Sequence, residues 1–251
     1  VAILSQARVR NRILAALPPA EFALVAGALT LVELEVGETL HRAGDRFEYV
    51  YFVETGFISA MSVLADGAPV EIGLIGVEGL DGVSVILGAD TSFSETICQT
   101  GGQAYRIPAA ALKKLAVNAP FLRNLLLRYI CFFGEQVAQT AACNAHHDLY
   151  QRLARWLLAA QDRSETPELS LTQDLIAVML GVRRATVSVA AAALQKAGFI
   201  RYLHGRITVL DRPGLEAASC ECYATIVAEY RHLLVETSLP VSVIKGFGID
   251  R

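Results

Sequence analysis

The sequence predicts an α+β fold in three parts: an N-terminal jelly-roll-type β-barrel, a long helix suited to pairing with a second copy, and a C-terminal winged helix-turn-helix. Three observations carry this expectation. Residues 31–107 hold short β-prone runs punctuated by eleven glycines, the texture of an all-β barrel. Residues 118–144 are apolar around almost the whole helical circumference, which requires burial on more than one side. Residues 171–209 place two helical periodicities on either side of Gly181, followed by two alternating runs.

Each element follows in order. Pro18 and Pro19 announce the second of two short helices between residues 8 and 28, ended near Gly27. The barrel runs are residues 49–54, 57–64, 69–76, 96–100 and 104–107, and Asp66-Gly67 between two of them reads as a type I′ hairpin turn. In the helix from Asn118 to Asn144, Leu122, Leu126, Tyr129, Phe133 and Val137 exceed what one barrel face can cover, which points to a homodimer interface. A helix from Asp148 to Gln161 leads through the polar linker Asp162 to Glu168 into the last part. The expected division is residues 1–117 for the N-terminal helices and barrel sensor, 118–145 for the dimerisation helix, 146–232 for the winged domain and 233–251 for a tail without periodicity or assigned role.

The winged part points to double-stranded DNA. Two helices joined by a short turn leave the second free to enter a major groove. That second helix opens with Arg183, Arg184, Ala185, Thr186 and Ser188, groups suited to phosphates and base edges. The segment after Gly198, with a turn at His204-Gly205-Arg206, alternates like a two-stranded wing. Residues 170–214 carry six Lys or Arg against two acids, whereas residues 20–115 carry thirteen acids against five Lys or Arg. An acidic sensor and a basic reader are thus separable, and DNA is expected to meet only the second.

Composition narrows the class. With 53% apolar residues, the 251-residue chain has room for about two cores. The apolar stretch from Phe22 to Val32 is 11 residues long, short of the about 20 that a bilayer span needs, so no membrane partner is expected. The absence of a leader pattern and the five scattered cysteines (98, 131, 143, 220 and 222) give a cytoplasmic, reducing location as the expectation. Lacking ligand spacing, the cysteines read as structural, with no metal and no cofactor.

Barrel, long helix and winged helix in this order resemble the Crp/Fnr family of bacterial transcription regulators. The resemblance rests on Gly37-Glu38-Thr39-Leu40 with Gly44-Asp45 and residues 50–53 before Gly56, and on Thr172, Gly181, Arg184, Thr186 and Val187 in the reader. It implies a double-stranded β-helix barrel of cyclic-nucleotide-binding type, a dimerising helix and signal-controlled binding of an operator, with RNA polymerase as a candidate partner. It also implies an effector pocket around Gly79, Asp81, Gly82, Ser92 and Ser94. Family members that bind cyclic AMP hold the phosphate with a Gly-Glu pair and a later arginine. Here the stretch reads Gly79-Leu80-Asp81-Gly82, then Ser92-Phe93-Ser94, and no Lys or Arg occurs from Phe47 to Tyr105. A buried phosphate would lack its charge-assisted partners, so the effector is expected to be an unknown small molecule other than cyclic AMP.

The reader residues expected at DNA are Arg183, Arg184, Thr186, Ser188, Thr172 and Arg206. Arg184 is the expected guanine reader, with Ser188 a second base contact one turn on. Arg183 and Thr186 are expected at phosphate, and Ala185 or Val189 at a thymine methyl. An iron–sulfur sensor of the family's N-terminal type is disfavoured because no cysteine precedes Cys98. A cupin-type enzyme is disfavoured because His41 is the only barrel histidine, one ligand where several are needed. A barrel sensor with reduced or lost DNA binding is the alternative that Ala185 and Val189 keep open. His146-His147 reads as polar surface at the hinge.

Overall fold

The computed structural model describes residues 4–164 and 166–236. A 3-10 turn (Gln6–Arg8), α1 (Arg12–Ala15) and α2 (Pro19–Ala26) precede six antiparallel barrel strands. These are β1 (Thr30–Leu34), β2 (Thr39–His41), β3 (Tyr49–Val63), β4 (Pro69–Ile75), β5 (Leu80–Asp81) and β6 (Glu95–Pro108). They pair in the order β1-β6-β3-β4, with β2 also on β6 and β5 on β3. Runs expected as separate strands merge: residues 49–54 and 57–64 are both β3, bridged by Gly56. Gly56 has φ +75°, and a Cβ on it would lie 2.8 Å from the Thr100 carbonyl oxygen. The β3–β6 register shifts at this point, as a bulge requires. The hairpin at Asp66-Gly67 forms, but only Gly67 has positive φ, so the turn is not type I′. The Asp66 carboxylate instead accepts from Ala68 N at 2.9 Å.

The helix expected over residues 118–144 forms as a single helix, α4 (Pro120–His146), and a separate short helix, α3 (Ala109–Asn118), precedes it. α3 ends at Ala119, and α4 begins on a proline that lacks the N–H needed to continue α3. Leu122, Leu126, Tyr129 and Phe132 on α4 pack with Phe22, Val50, Phe52, Leu80 and Leu112 into one core. Gln136 acts as an extra rung on the barrel, accepting from Leu74 N at 3.0 Å and donating to Leu74 O at 3.1 Å.

α5 (Leu149–Gln161) is capped by Asp148, whose carboxylate accepts from Gln151 N at 2.9 Å. Then come β7 (Glu168–Ser170), α6 (Gln173–Leu180), α7 (Arg184–Lys196), β8 (Ile200–Leu203), β9 (Arg206–Val209), α8 (Arg212–Ala218) and α9 (Cys222–Tyr230). A π-helical turn (Arg231–Glu236) continues α9. The wing turn is His204-Gly205, both with positive φ, and Arg206 starts the returning strand rather than belonging to the turn. A third wing strand, β7, starts on the last residue of the expected linker and pairs with β9. α9 and its π turn lie along α4, with Tyr230 edge-on to Phe132 at 5.6 Å and Leu233 and Leu234 against the same core. The start of the expected tail is therefore packed, while residues 237–251 fall outside the described set. Among the described residues, no single helix is long and apolar enough to cross a membrane.

Candidate nucleic-acid interface and effector pocket

The reader core is built by Trp156, Leu157, Leu171, Ile176, Leu180, Val187, Leu194, Ile200 and Ile207. Burying Val187, Ala190, Ala191 and Leu194 turns the other face of α7 outward, so Arg183, Arg184, Ala185, Thr186 and Val189 are exposed. Thr172 caps α6 by accepting from Leu175 N at 3.2 Å, which leaves its proton free to donate. Arg184 lies 3.6 Å from Asp174 across the turn, both side chains well exposed. Exposed pairs of this kind are worth little, so the guanidinium is not locked. Thr172, Arg184, His204 and Gly205 line one groove between α6, the start of α7 and the wing. Arg206 is also exposed, 2.9 Å from Glu168 at the wing base. Ser188 departs from expectation. It is half-buried and donates to Gln173 Oε1 at 2.5 Å, so its hydroxyl ties the two helices together and is not presented to a base edge.

Of the expected effector residues, Gly79, Asp81, Gly82 and Ser92 are buried and Ser94 is half-buried. Asp81 is buried and accepts from Thr96 Oγ1 at 2.8 Å and from His41 Nδ1 at 2.9 Å. His41 Nε2 lies 3.1 Å from the Tyr49 carbonyl. Burial alone would lower the His41 pKa, but the hydrogen bond and charge of Asp81, with the Tyr49 carbonyl, outweigh it and raise the pKa. Side chains of the chain itself thus engage the Asp81 carboxylate in the cassette region. Gly79 sits beneath α4, where a Cβ would lie 2.2 Å from the Tyr129 ring. Ser92 is buried and donates to the Ser94 carbonyl at 2.7 Å, so both serve the local turn.

A cleft of about 280 Å³ opens elsewhere, between the barrel, α4, α5 and α9, and none of those five residues lines it. Its wall couples barrel to reader. Arg163, at the end of α5, lies 2.7 Å from Glu78, and both are buried. Glu71 on β4 accepts from Ser59 Oγ at 2.5 Å and from Trp156 Nε1 at 2.7 Å. Burial pushes the Glu71 pKa from 4.5 to about 7, against the opposing pull of these hydrogen bonds and of Arg155. Between these two values the folded state keeps a proton that the unfolded state releases, so this residue's contribution to stability falls as pH rises from 4.5 to about 7 and levels above it. The stability difference between wild type and Glu71→Gln should change by about 3 kcal/mol across that window. Urea titrations at pH 5 and pH 8 read it, and a pH-independent difference would contradict the assignment.

The sequence reading also missed a cluster. Cys143 and His147 at the end of α4 meet Cys220 and Cys222 between α8 and α9, with ligand atoms all within 4.8 Å of one another. This corrects the expectation that Cys220 and Cys222 lack further ligands and that His147 is surface. The convergence depends on α9 folding back on α4, which no local spacing announces.

Exposed α7, an adjoining wing and a barrel on a long helix define a DNA-binding protein with an attached sensor-type domain. Residues 31–118 match the cyclic nucleotide-binding domain, and residues 151–218 match the Crp-like helix-turn-helix domain. The global nitrogen regulator of Synechococcus elongatus is 26% identical over 192 residues, covering 73% of this chain and 86% of that protein. Transcriptional activator protein FnrA of Stutzerimonas stutzeri is 26% identical over 195 residues, covering 72% and 77%. Among solved structures, FixK2 from Bradyrhizobium japonicum superposes with a TM-score of 0.67 at 18% identity, over 76% of this chain and 98% of that one. A putative Crp/Fnr regulator from Eubacterium rectale gives 0.63 at 20% identity, over 81% and 95%. The chain belongs to the Crp/Fnr family: it is a DNA-binding transcription regulator, and its relatives are regulators rather than enzymes.

Proposed function

We propose that the protein binds a near-palindromic operator as a homodimer under the control of a signal other than cyclic AMP. The exposed arginine pair at the start of α7 carries the DNA reading. Arg184 reads a guanine, while Arg183, Thr186, Thr172 and, from the wing, Arg206 hold phosphate. Ser188 is left out because its proton is committed to Gln173.

The dimer surface proposed here is shifted from the one expected from the sequence. Leu122, Leu126 and Tyr129 are fully buried within their own chain. The Phe133 ring lies over Gly73, 2.9 Å from where a Cβ would be, and Val137 is half-buried. The barrel and α9 cover the faces assigned to a partner. One outward stripe on α4 runs through Asn124, the half-buried Leu127, Cys131, Gly134, Ala138, Ala141 and Ala145, spaced alternately by three and four residues, with the exposed Arg123, Glu135, Ala142 and His146 beside it. That spacing suits the seam of a two-stranded coiled coil, with small residues admitting close approach. Against cyclic AMP stand the stretch from Phe47 to Tyr105, which carries eight acids and no Lys or Arg, and the engagement of Asp81 by His41 and Thr96.

Titration of a randomised operator library with wild type, Arg184→Ala and Arg183→Ala tests the reading. Arg184→Ala should lose about 1–3 kcal/mol on the preferred operator and relax one position per half-site, with half-sites about 34 Å apart. Arg183→Ala should weaken all sequences alike. No change for either variant would remove α7 from the interface, and wild type that binds no sequence would leave a sensor without DNA binding.

A further inference from the structure

We propose that Cys143, His147, Cys220 and Cys222 form a tetrahedral Cys3His site for zinc, joining the end of α4 to the turn between α8 and α9. The distances fit a single ion. Cys143 Sγ and Cys220 Sγ are 3.5 Å apart, and Cys222 Sγ and His147 Nδ1 are 3.6 Å apart. With zinc–sulfur bonds of about 2.3 Å and zinc–nitrogen bonds of about 2.0 Å, tetrahedral edges come to about 3.8 Å for S···S and about 3.5 Å for S···N. No two ligand atoms are more than 4.8 Å apart, so a contraction of about 1 Å at most brings the sulfurs to those edges. A cubane iron–sulfur cluster places each ligand on a different iron and needs a wider set.

The surroundings support the assignment independently. All three cysteines are buried, and they form an isolated cluster of their own. His147 turns its other ring nitrogen, Nε2, to the Glu221 carboxylate at 3.2 Å. This is the outer-shell partner that fixes the tautomer of a zinc-bound imidazole. Gln139 Nε2 donates to Cys222 Sγ at 3.0 Å. Zinc held by three thiolates and a neutral imidazole has net charge −1, and binding releases the three thiol protons with no change of oxidation state. Arg152 and Arg155 are at least nine-tenths buried, and each Nε lacks a hydrogen-bond partner. The charges of Arg155 and Arg152 act on Cys143, and that of Arg152 acts on Cys220 as well. These otherwise under-used cations neutralise the site.

Position gives the site its consequence. The ligands bracket residues 148–219, so one ion closes α5 through α8 into a loop tied at its base. Metal bound by the folded chain stabilises it by mass action.

Elemental analysis of the full chain, purified under reducing conditions, should find about one zinc per chain, with Cys131→Ser unchanged and Cys222→Ser depleted. Protein stripped by a chelator and refilled with cobalt(II) should show the strong visible absorption of tetrahedral thiolate coordination. Because Cys222→Ser can simply misfold, Glu221→Gln, an exposed position, provides the second arm. It should keep its fold while zinc affinity, read by chelator competition, falls about 10- to 100-fold. Metal-free protein that binds neither zinc nor cobalt overturns the proposal. So does a native Cys143–Cys220 disulfide found by mass spectrometry, and so does iron with acid-labile sulfide.

Discussion

Leu127→Glu combined with Gly134→Glu should split the dimer into folded monomers and weaken operator binding by about 100-fold or more, the scale of avidity lost when two linked contacts become one. Both positions lie on the outward seam of α4, and a side chain at Gly134 meets open space within its own chain. The monomer should therefore keep its fold, and the loss should come from like charges facing each other across the pair. Sedimentation at micromolar concentration and a binding titration read the two effects. Wild type that sediments as a monomer, or a double variant that stays dimeric on full-affinity operator, would refute the seam. The more obvious substitution, Tyr129 to a charged residue, is uninformative because Tyr129 is fully buried beneath its own barrel.

Gly79→Ala should destabilise the chain by about 3 kcal/mol, the upper part of the range for overpacking a rigid site. For a chain of this size, that lowers Tm by about 6–12 °C. The added Cβ would lie 2.2 Å from a fully buried aromatic ring, and Asn11 Nδ2 pins the Gly79 carbonyl at 2.7 Å, so neither side can yield easily. Thermal unfolding followed by circular dichroism checks the loss. Adding Tyr129→Leu should recover part of it, since removing the ring removes the clash. An unchanged Tm would return Gly79 to the effector pocket to which the sequence assigned it.

What could be read early and what could not divide by the range of the interaction. Amphipathic periodicity is local, so α5, α6, α7 and the wing were legible from residues 148–209. Punctuation by glycine is local too, and it located the barrel while misplacing strand ends. β3 runs through Gly56 because Thr100, 44 residues on, leaves no room there for a side chain. The inward and outward faces of α4 could not be told apart. Its cover includes α9 and the π turn, elements 76 or more residues beyond its end whose short apolar runs carry no clear period. The Cys3His cluster was hidden for the same reason. The internal partners of Asp81 were illegible because a carboxylate there looks alike in sequence whether it faces a ligand or His41.

Phe57, Met61 and Leu74 of the barrel belong to the same buried cluster as Trp156, Leu180 and Val187 of the reader. Sensor and reader are accordingly one cooperative unit in this conformation rather than two bodies on a hinge. Returning each of the three barrel side chains to water costs about 1.5–3 kcal/mol, so a second orientation of the reader lies several kcal/mol uphill unless new burial replaces the old. Reversing a two-state equilibrium from 1:99 to 99:1 requires about 5.5 kcal/mol of differential affinity, which is of the same order. A signal that turns the reader must therefore bind one arrangement far more tightly than the other, and weakening this shared core should lower its threshold without touching the DNA-facing helix.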